Sequence, residues 1–504
     1  MKLIEIKDIT RENLPQIEND LLKLEPDWIA TGESEWNSES LKKEIPGKFD
    51  GLSKYAVYDG NLVGYLIASV DRPGVGKLNK IVTKTNIRGK GIGSQLWTAF
   101  LDTFRSKGFH KLEFRALTDN PVLSFYEKRG CVFDGYTLGT DKKLRQDIYY
   151  TLKTTENIPH SMPTIGLEEV IQISSLLNKR DLSGKETTKL FSSEVAKYIG
   201  RRYAIPTSSG TNALFLSLKS LEIKPQDEVI LPSYICNSVM HAVQNTSAIP
   251  VLADINKTDY NISLEDTKKK ITKNTKAIIV PHMFGNPVKD ITSFLELGIP
   301  IIEDAAQSIG AIHNNKKVGT FGNQSVLSFY ATKMMTTGLG GMILTDDEST
   351  YKKLQDLTKN DQREKWEEGY SLSMGGLNAS LGLAQLPKLD SFVSRRKEIA
   401  SEYLKLIYKD GIKLPQQNEE NIFFRFILES ENADLLISSL RKRGINAEKP
   451  VYKPLHQYFS ISNENLPNTT HAQNQAISIP IYPSLTNNQV REIAGAVSNW
   501  RSEK

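Results

Sequence analysis

The regular alternation of strand-like and helix-like segments constrains the fold of this chain more than any other feature of its sequence. Beyond residue 163, short apolar runs are each followed by turn or helix signals. The clearest strand candidates are Glu228–Leu231, Ala277–Val280, Ile299–Ile302 and Ser325–Phe329. Strands and helices that alternate in this way form a largely parallel sheet with helices on both faces. We therefore predict a large α/β/α domain at residues 164–394 and, after a charged helix near Arg395, a smaller α+β domain at residues 395–504.

A smaller α/β pattern precedes this region. Its strand candidates are Lys54–Tyr58, Leu62–Val70 and Lys111–Ala116. Apolar side chains recur at helical spacing in Ser94–Lys107, which predicts a helix there. The segment Thr151–Pro163 is polar, contains two prolines and has no sustained periodicity, which is typical of a linker. We predict a first domain at residues 1–152 and a linker at residues 153–163.

Length and composition exclude several classes of protein. At roughly 100–200 residues per domain, 504 residues suggest about three structural units. The apolar runs are far shorter than the roughly 20 residues that span a bilayer, and charges interrupt the N-terminus where a signal core would lie. Cys131 and Cys236 are too far apart to indicate a metal site or a disulfide framework. We expect a cytoplasmic protein with no membrane span and no metal.

The net charge of +5 is too dilute to indicate a nucleic-acid partner, but its distribution is uneven. Residues 1–50 carry 7 basic and 12 acidic side chains, whereas residues 51–155 carry 17 basic and 9 acidic ones. One interpretation is random variation of the surface. The other is an acidic entrance beside a basic groove for an anionic ligand. Three carboxylates surround Trp36 in the acidic part, and we assign none of Glu33, Glu35 and Glu39 as a catalytic base.

The sharpest local motif of the first domain is the turn Arg88-Gly-Lys-Gly-Ile-Gly93, between a strand at Lys80–Thr83 and the helix that starts at Ser94. Glycines allow the backbone to turn tightly and present N–H groups to an anion, and the start of the helix adds the positive end of its dipole. A plain tight connection is the alternative. A dinucleotide site is disfavoured because the third glycine of Gly-x-Gly-x-x-Gly is absent.

With Asp119-Asn120 and Phe125-Tyr126-Glu127-Lys128-Arg129-Gly130, this turn resembles the GNAT family of acyl-CoA-dependent N-acetyltransferases, over roughly residues 3–152. The resemblance implies acetyl-CoA as cosubstrate, with its acyl and pantetheine part held by the strand backbone. That strand segment is Ile81, Val82 and Thr83. The pyrophosphate would be held at the turn by Arg88, Gly89, Lys90, Gly91, Ile92, Gly93 and Ser94.

The same resemblance implies that Tyr126 is the general acid toward the leaving thiolate. A core aromatic on an apolar helix face is the alternative. Two positions depart from the family pattern. Asp119 stands seven residues before the tyrosine, where an asparagine is usual, and Cys131 replaces the phenylalanine that usually follows Gly130.

Four motifs of the second domain predict a pyridoxal phosphate site when they are taken together. Ser208–Leu214 is a small-residue turn that opens a helix, suited to a phosphate. Asp304 follows a buried strand and can pair with a pyridine nitrogen. Lys333 follows another apolar strand, where desolvation favours the neutral amine that forms an imine, and the glycine-rich Thr336–Met342 comes next. Each motif taken alone has a plain structural alternative, but the order of the four along the chain is specific for a pyridoxal phosphate site.

Residues 158–500 resemble the DegT/DnrJ sugar-nucleotide aminotransferases of the fold-type I superfamily. The motifs that carry the resemblance include Val280-Pro-His-Met-Phe-Gly285, Glu303-Asp-Ala-Ala-Gln-Ser308, Gly382-Leu-Ala-Gln-Leu386 and Pro480-Ile-Tyr-Pro483. The resemblance implies a homodimer in which Lys333 forms the Schiff base and moves the proton, Asp304 faces the pyridine nitrogen and Gln307 lies against the ring oxygen. The phosphate ligands it implies are Gly210, Thr211 and Ser328. A lysine at 333 argues against the dehydratase branch of the family, which has histidine there.

Three positions depart from this second family pattern. The aromatic residue that stacks on the cofactor ring falls at Cys236, and the nearby Tyr234 is the candidate to replace it. The usual Asn-x-Arg before the Gln-Leu helix reads Ser371-Leu-Ser373, and Leu339 stands in place of an acidic residue.

An aminotransferase makes a primary amine and a GNAT domain consumes one, so the fusion predicts a bifunctional enzyme. It would transaminate a keto-deoxysugar nucleotide with glutamate as donor and then N-acetylate the new amine with acetyl-CoA. In one alternative, a sugar or cyclitol aminotransferase carries a GNAT domain that acetylates an unrelated amine. In another, the second domain is a non-catalytic cofactor-binding sensor or scaffold.

Overall fold

The structure is a computed structural model that divides into two compact units, residues 1–156 and 157–504. The residues that it describes are 4–27, 37–44, 51–72, 75–107, 109, 111–120, 122–139, 142–151, 157–180, 182–359, 361, 364–416 and 418–500.

The first unit is an α/β domain around one mixed sheet. Its strands are Ile4–Asp8 (β1), Lys54–Tyr58 (β2), Asn61–Arg72 (β3), Val75–Thr83 (β4), Lys111–Leu117 (β5), Val132–Leu138 (β6) and Leu144–Thr151 (β7). Its helices are Leu14–Leu22 (α1), Ser38–Glu44 (α2), Ile92–Ser106 (α3) and Leu123–Glu127 (α4). In the described residues the strand order is β1-β2-β3-β4-β5-β7-β6, and β4 and β5 form the parallel pair among antiparallel neighbours.

The parallel pairing of β4 with β5 is short, and this creates a cleft. It joins residues 75–77 to residues 111–113, after which the two strands separate. Helix α3 packs its apolar face against the sheet, with Leu96, Phe100 and Phe104 fully buried. In the described residues, the backbone of β4 beyond residue 80 has no strand partner on the side that faces β5, so residues 81–83 can pair with a ligand there.

The second unit contains the larger sheet and a smaller two-stranded one. Its strands are Tyr203–Thr207 (β8), Glu228–Pro232 (β9), Ile249–Ala253 (β10), Thr275–Pro281 (β11), Ile301–Asp304 (β12), Ile312–His313 (β13), Lys316–Lys317 (β14), Gln324–Ser328 (β15), Gly341–Thr345 (β16), Phe426–Glu429 (β17) and Ala476–Ile479 (β18). Its helices are Leu167–Lys179 (α5), Lys185–Ile199 (α6), Gly210–Ser220 (α7), Asn237–Gln244 (α8), Leu264–Lys270 (α9), Ile291–Leu295 (α10), Glu348–Leu357 (α11), Gly376–Gln385 (α12), Leu389–Leu406 (α13), Ala433–Lys442 (α14), Pro467–Gln475 (α15) and Asn487–Ser498 (α16).

The large sheet has the order β10-β9-β11-β12-β15-β16-β8, and the five strands from β10 to β15 are parallel. Only β16 runs against both of its neighbours. Every side chain from Ala277 to Val280 in β11 is fully buried, so both faces of the sheet are covered, as the apolar run predicts. The carboxyl ends of the parallel strands lie at one edge, which is where open α/β sheets place ligands.

The small domain packs β17 and β18 against the helices that follow residue 388, and its start differs from the predicted boundary. Helix α13 is continuous from Leu389 to Leu406, so a boundary between residues 394 and 395 falls inside it. Residues 157–163 of the predicted linker also differ from expectation. Ile158 is buried and pairs with Ile445, because its apolar side chain completes the small-domain core.

None of the helices in the described ranges is long and apolar enough to cross a membrane. Within those same ranges, no group of three or more His, Cys, Asp or Glu side chains is arranged to hold a metal ion.

Candidate active sites

Lys333 lies in a turn just after β15, with its side chain desolvated beside the small domain. Its backbone N–H donates to the Tyr330 carbonyl at 2.9 Å, and its Nζ lies 5.2 Å from the centroid of the Phe424 ring. Burial lowers the pKa of Lys333, and Arg425 acts in the same direction, against the opposing pull of Cys236 and Asp304. A larger fraction of the amine is therefore neutral, which is the form that attacks a carbonyl.

Asp304 ends β12 at the same edge of the sheet. Its Oδ1 accepts a hydrogen bond from the Ala306 N–H at 3.0 Å. Burial raises the pKa of the Asp304 carboxyl, whereas that hydrogen bond and the charges of Lys333 and His282 oppose the rise. A buried carboxylate of this kind is stabilised by a cationic partner, and a protonated pyridine nitrogen is such a partner.

A buried histidine–glutamate pair supports the strand end that carries Asp304. His282 Nδ1 accepts from the Val288 N–H at 2.9 Å, so the ring proton is on Nε2, which donates to Glu303 Oε1 at 3.0 Å. Burial alone would raise the pKa of Glu303, but His282 and the backbone N–H donors outweigh it and hold that pKa below its usual range. The sequence motifs assigned no role to these two residues, although a histidine after one apolar strand and paired acids at the end of the next were the available signal.

Gln307 is oriented by the backbone of a neighbouring loop. Its Oε1 accepts from the Phe284 N–H at 2.9 Å, and only the carbonyl end of an amide can accept from an N–H. The NH₂ end of Gln307 is therefore the end available to donate, as contact with a cofactor ring oxygen requires.

The predicted phosphate ligands lie together at the start of helix α7. Ser209 caps this helix by accepting from the Asn212 N–H at 3.1 Å, and the N–H groups of Gly210 and Thr211 have no acceptor in the described part of the chain. A Cβ added at Gly210 would lie 2.8 Å from the Cβ of Ser328, which is too close for any other residue. Two backbone donors, a hydroxyl and the positive end of a helix therefore converge, as a phosphate site requires.

The structure corrects the prediction for Tyr234. Its side chain is fully buried in the core, where its ring contacts Tyr260 and Phe284 at centroid distances of 6.2 and 6.3 Å, so no face is left for a cofactor ring. Cys236 is exposed and close enough to Lys333 to affect its pKa. Position 236, where the family has its ring-stacking aromatic residue, is thus at the Lys333 site, and a thiol replaces the aromatic ring there.

These residues fit pyridoxal phosphate. Lys333 would hold the aldehyde carbon, Asp304 the pyridine nitrogen, Gln307 the ring oxygen, and the start of α7 with Ser328 the phosphate. When bound, this cofactor supplies an electron sink for the carbon next to the amine. A neutral Lys333 amine is then the group of this chain that can take a proton from that carbon and return it.

The first unit forms its own cleft where β4 and β5 separate. Its walls bring together many of the predicted ligands, namely Ile81, Val82, Thr83, Arg88, Gly93 and Tyr126. Gly89 and Gly91 have φ angles of +83° and +81°, which residues with a Cβ rarely adopt, so the turn depends on glycine. This geometry leaves the start of α3 open to an anion. The buried side chain of Ile92 holds that helix start against the core.

The polar side chains of this turn have partners that the motif did not predict. Arg88 donates from Nε to the Thr83 carbonyl at 3.3 Å and from its guanidinium to the Asp27 carbonyl. The Lys90 ammonium lies 5.4 Å from the Tyr58 ring centroid, and the Ser94 hydroxyl accepts from Arg129. The Ser94 hydroxyl is thus oriented by the Arg129 guanidinium.

Tyr126 borders the cleft and belongs to the aromatic core at the same time. Its ring lies 4.7 Å from Phe114 and 5.9 Å from Trp97. Burial raises the pKa of its phenol, so the group keeps its proton at neutral pH and has one to give to a developing thiolate.

The cleft is also lined by a carboxylate that the sequence did not single out. Asp27 lines it and accepts from the Thr85 N–H at 2.9 Å. Burial opposes ionisation of Asp27, but its hydrogen bonds with Thr85 and the charge of Arg88 prevail and lower its pKa. Of the acidic cluster discussed above, Glu33, Glu35 and Trp36 lie outside the described residues, and Glu39 is exposed.

Each of the two units matches a protein family. Residues 163–498 match the DegT/DnrJ/EryC1/StrS aminotransferase family, and residues 17–131 match the Acetyltransferase (GNAT) family. The chain is 31% identical to the GDP-perosamine synthase of Escherichia coli O157:H7 over 69% of its length and 99% of the relative. It is 30% identical to the spore coat polysaccharide biosynthesis protein SpsC of Bacillus subtilis over 68% of its length and 97% of the relative.

Solved structures give the same result for the second unit. S. venezuelae DesV, in complex with a ketimine intermediate, is 29% identical with a TM-score of 0.63, and the match covers 68% of this chain and 99% of that one. Helicobacter pylori PseC, an aminotransferase involved in the biosynthesis of pseudoaminic acid, is 25% identical with a TM-score of 0.64, over 68% and 98% of the two chains.

The fold and the Lys333 site define a pyridoxal-phosphate-dependent aminotransferase preceded by an acetyl-CoA-dependent N-acetyltransferase domain. The chain belongs to the DegT/DnrJ/EryC1/StrS aminotransferase family. The expectations of an α/β fold, of two enzyme activities and of these two cofactors are thereby confirmed.

Proposed function

We propose that the chain is a bifunctional enzyme of nucleotide-activated amino-sugar biosynthesis. The keto group of a deoxysugar nucleotide would receive the amino group of glutamate, which leaves as 2-oxoglutarate. The new amine would then attack the acetyl thioester and lose one proton to solvent, and the coenzyme A thiolate would leave and take a proton from Tyr126, which solvent reprotonates. A cytoplasmic location remains a prediction.

One observation carries this proposal: a site that makes a primary amine and a site that consumes one are present on the same chain. Lys333, Asp304 and the start of α7 lie at one edge of the large sheet, where they would serve as acid–base amine, pyridine partner and phosphate donors. The first unit has its own cleft along β4. A covalent link raises the effective concentration of the first product at the second site. The printed names of the relatives, a GDP-perosamine synthase and a spore coat polysaccharide protein, support a sugar substrate.

A homodimer is part of the proposal. Helices α5, α6 and α12 pack on one another in the second unit and leave large apolar side chains exposed. These side chains are Ile171, Leu177, Leu190 and Leu377. Tyr330 and Leu339, which flank the Lys333 turn in sequence, are also more than half exposed. Exposed apolar side chains of this size favour a subunit interface close to the cofactor site.

The test is a coupled reaction with a panel of keto-sugar nucleotides, glutamate and acetyl-CoA, followed by mass spectrometry of the sugar product. The intact chain should give the N-acetylated amino sugar. Lys333→Ala should lose both products together with the visible absorbance band of the bound cofactor, whereas Tyr126→Phe should accumulate the free amino sugar.

Two outcomes would contradict the proposal. Accumulation of the free amine by the intact chain, in spite of acetyl-CoA, would mean that the GNAT domain acts on another amine. Failure of glutamate to change the absorbance band would mean that the second unit is a cofactor-binding scaffold.

A further inference from the structure

The ring of Phe424 lies against the reactive end of Lys333. The Lys333 Nζ is 5.2 Å from the centroid of this ring, within the roughly 6 Å at which an aromatic face attracts a cation. Among the residues that the structure describes, no acceptor lies within hydrogen-bond distance of this Nζ and no carboxylate within salt-bridge distance. The ring is therefore a direct contact that can stabilise the charged form of Lys333.

The position of the Phe424 ring is fixed by backbone contacts on both sides of it. The Ile422 N–H donates to the Gly285 carbonyl at 3.0 Å, and the Arg425 N–H donates to the Phe284 carbonyl at 3.3 Å. A Cβ added at Gly285 would lie 2.7 Å from the Phe424 nitrogen, so the two segments are in direct backbone contact. Phe424 is also buried, so its ring is held in place before Lys333 takes up a proton.

Four charged or titratable groups surround Lys333, each from a different element. Burial lowers the pKa of Lys333, whereas Cys236 before α8 and Asp304 at the end of β12 oppose this effect. Arg425, just before β17, lowers the same pKa further, and Arg396 of α13 lines a small cavity with Lys333. The balance favours the neutral amine, so the ammonium needs a stabilising contact.

The two cations beside Phe424 differ in what they can release. The Arg425 guanidinium lies 5.3 Å from the ring centroid, donates to His160 at 2.7 Å and keeps its proton. Lys333 must alternate in transamination, since its amine takes a proton from the carbon next to the amino nitrogen and its ammonium returns that proton. An aromatic face attracts the ammonium without accepting its proton as a carboxylate does, so the proton stays available.

We propose that Phe424 is a positioning residue of the transamination, whose ring holds the Lys333 ammonium in place until its proton is returned. The inference applies to any keto substrate of the second unit and is independent of the sugar reaction proposed above.

The first experiment removes pyridoxal phosphate from the full-length chain and measures the rate of its renewed uptake, by absorbance, as a function of pH. This rate rises with pH because the neutral Lys333 amine attacks the aldehyde. Phe424→Leu should move the midpoint of the rise down by about 0.5–1 pH unit, since the ammonium loses its ring contact. Phe424→Tyr keeps the ring and should keep the native midpoint.

The second experiment measures the half-reaction of the holoenzyme with glutamate. Phe424→Leu should lower its maximal rate about 3- to 10-fold and leave the KM for glutamate unchanged. The matched control is Phe191→Leu. This phenylalanine is fully buried in the same apolar cluster, and its ring contacts Phe329 at a centroid distance of 5.4 Å. It should keep the native midpoint and the native rate, although it loses stability.

A native midpoint in Phe424→Leu, or in Phe424→Met where the leucine variant does not fold, would overturn the inference. An equal downward shift in Phe424→Tyr or in Phe191→Leu would also overturn it, because packing would then explain the effect. An uptake rate that does not change with pH in the intact chain would have the same consequence, since Lys333 would then have no ammonium to stabilise.

Discussion

Glu303 accepts a hydrogen bond from His282 at 3.0 Å in a place where neither side chain is exposed to solvent. The same carboxylate accepts from the backbone N–H groups of Gly319, Phe321 and Gly322 at 2.6 to 2.9 Å. The next residue along β12 is Asp304, whose carbonyl accepts from the His282 N–H at 3.1 Å. The buried Glu303 carboxylate thus links β11, β12 and the loop before β15, next to the strand end that carries Asp304.

Replacing Glu303 with Ala should destabilise the second unit by about 3–5 kcal/mol, because four donors would lose their acceptor in a dry interior. Urea unfolding followed by far-ultraviolet circular dichroism measures this loss. The exposed Glu296→Gln is the control and should change the midpoint little. A Glu303→Ala midpoint equal to that of the native chain would mean that the loop N–H groups find other acceptors.

Gly210→Ala should weaken retention of pyridoxal phosphate, because its Cβ would lie 2.8 Å from the Cβ of Ser328 and push the helix start away from the phosphate site. We expect at least a tenfold faster loss of the cofactor on dilution, measured by the decay of its absorbance. Gly495→Ala, in a helix with open space at the added Cβ, is the matched control. It should retain the cofactor and gain up to about 1 kcal/mol of stability from helix propensity.

Gly91→Ala should raise the KM for acetyl-CoA in the first unit. With φ at +81°, alanine there costs about 1–2 kcal/mol of backbone strain, which the turn would relieve by changing its conformation. Gly135→Ala is the control, since this glycine has an ordinary φ and no atom within 4 Å of an added Cβ. Equal KM values for the two variants would argue against a role of the turn in binding the pyrophosphate.

The sequence predicted the parts of both sites that follow from short stretches of chain. Asp304 is the last residue of the apolar strand β12, and Lys333 follows the end of the apolar strand β15 by five residues. A strand end at the carboxyl edge of a parallel sheet is a position that sequence pattern can reveal. The Gly89–Gly91 turn was visible for the same reason, because its geometry depends on local residues. In these cases a short stretch of sequence determines both the local geometry and the position of the residue in the fold.

Contacts between distant positions could not be predicted in this way. His160 and Arg425 are 265 positions apart, and only the folded small domain brings them together. Tyr234 was misjudged because it lies in a bend two residues before Cys236, where the chain directs the tyrosine into the core and leaves Cys236 exposed. Ile158 was assigned to a linker because two prolines and polar neighbours hid the side chains of this segment that pack against the small domain.

The His160 ring makes the stability of the second unit depend on pH in a specific direction. Its pKa is about 3 in the folded chain, against 6.5 for the ordinary value, with burial as the main cause and the Arg425 charge as the second. The unfolded chain therefore binds a proton below about pH 6.5 that the folded chain does not, so the free energy of unfolding falls as the pH is lowered. This contribution is complete above about pH 6.5 and decreases as the pH falls toward 3. Between about pH 7 and about pH 5 the loss amounts to about 2 kcal/mol.

His160→Gln should remove this dependence, because glutamine does not titrate. Urea unfolding at the two pH values should show a decline in the native chain that is about 2 kcal/mol larger than in the variant, whatever the variant loses at neutral pH. His241→Gln, an exposed histidine of α8, should keep the native decline. Parallel declines in all three proteins would mean that His160 protonates in the folded chain, and a charged His160 would repel Arg425 from the position that the structure gives it.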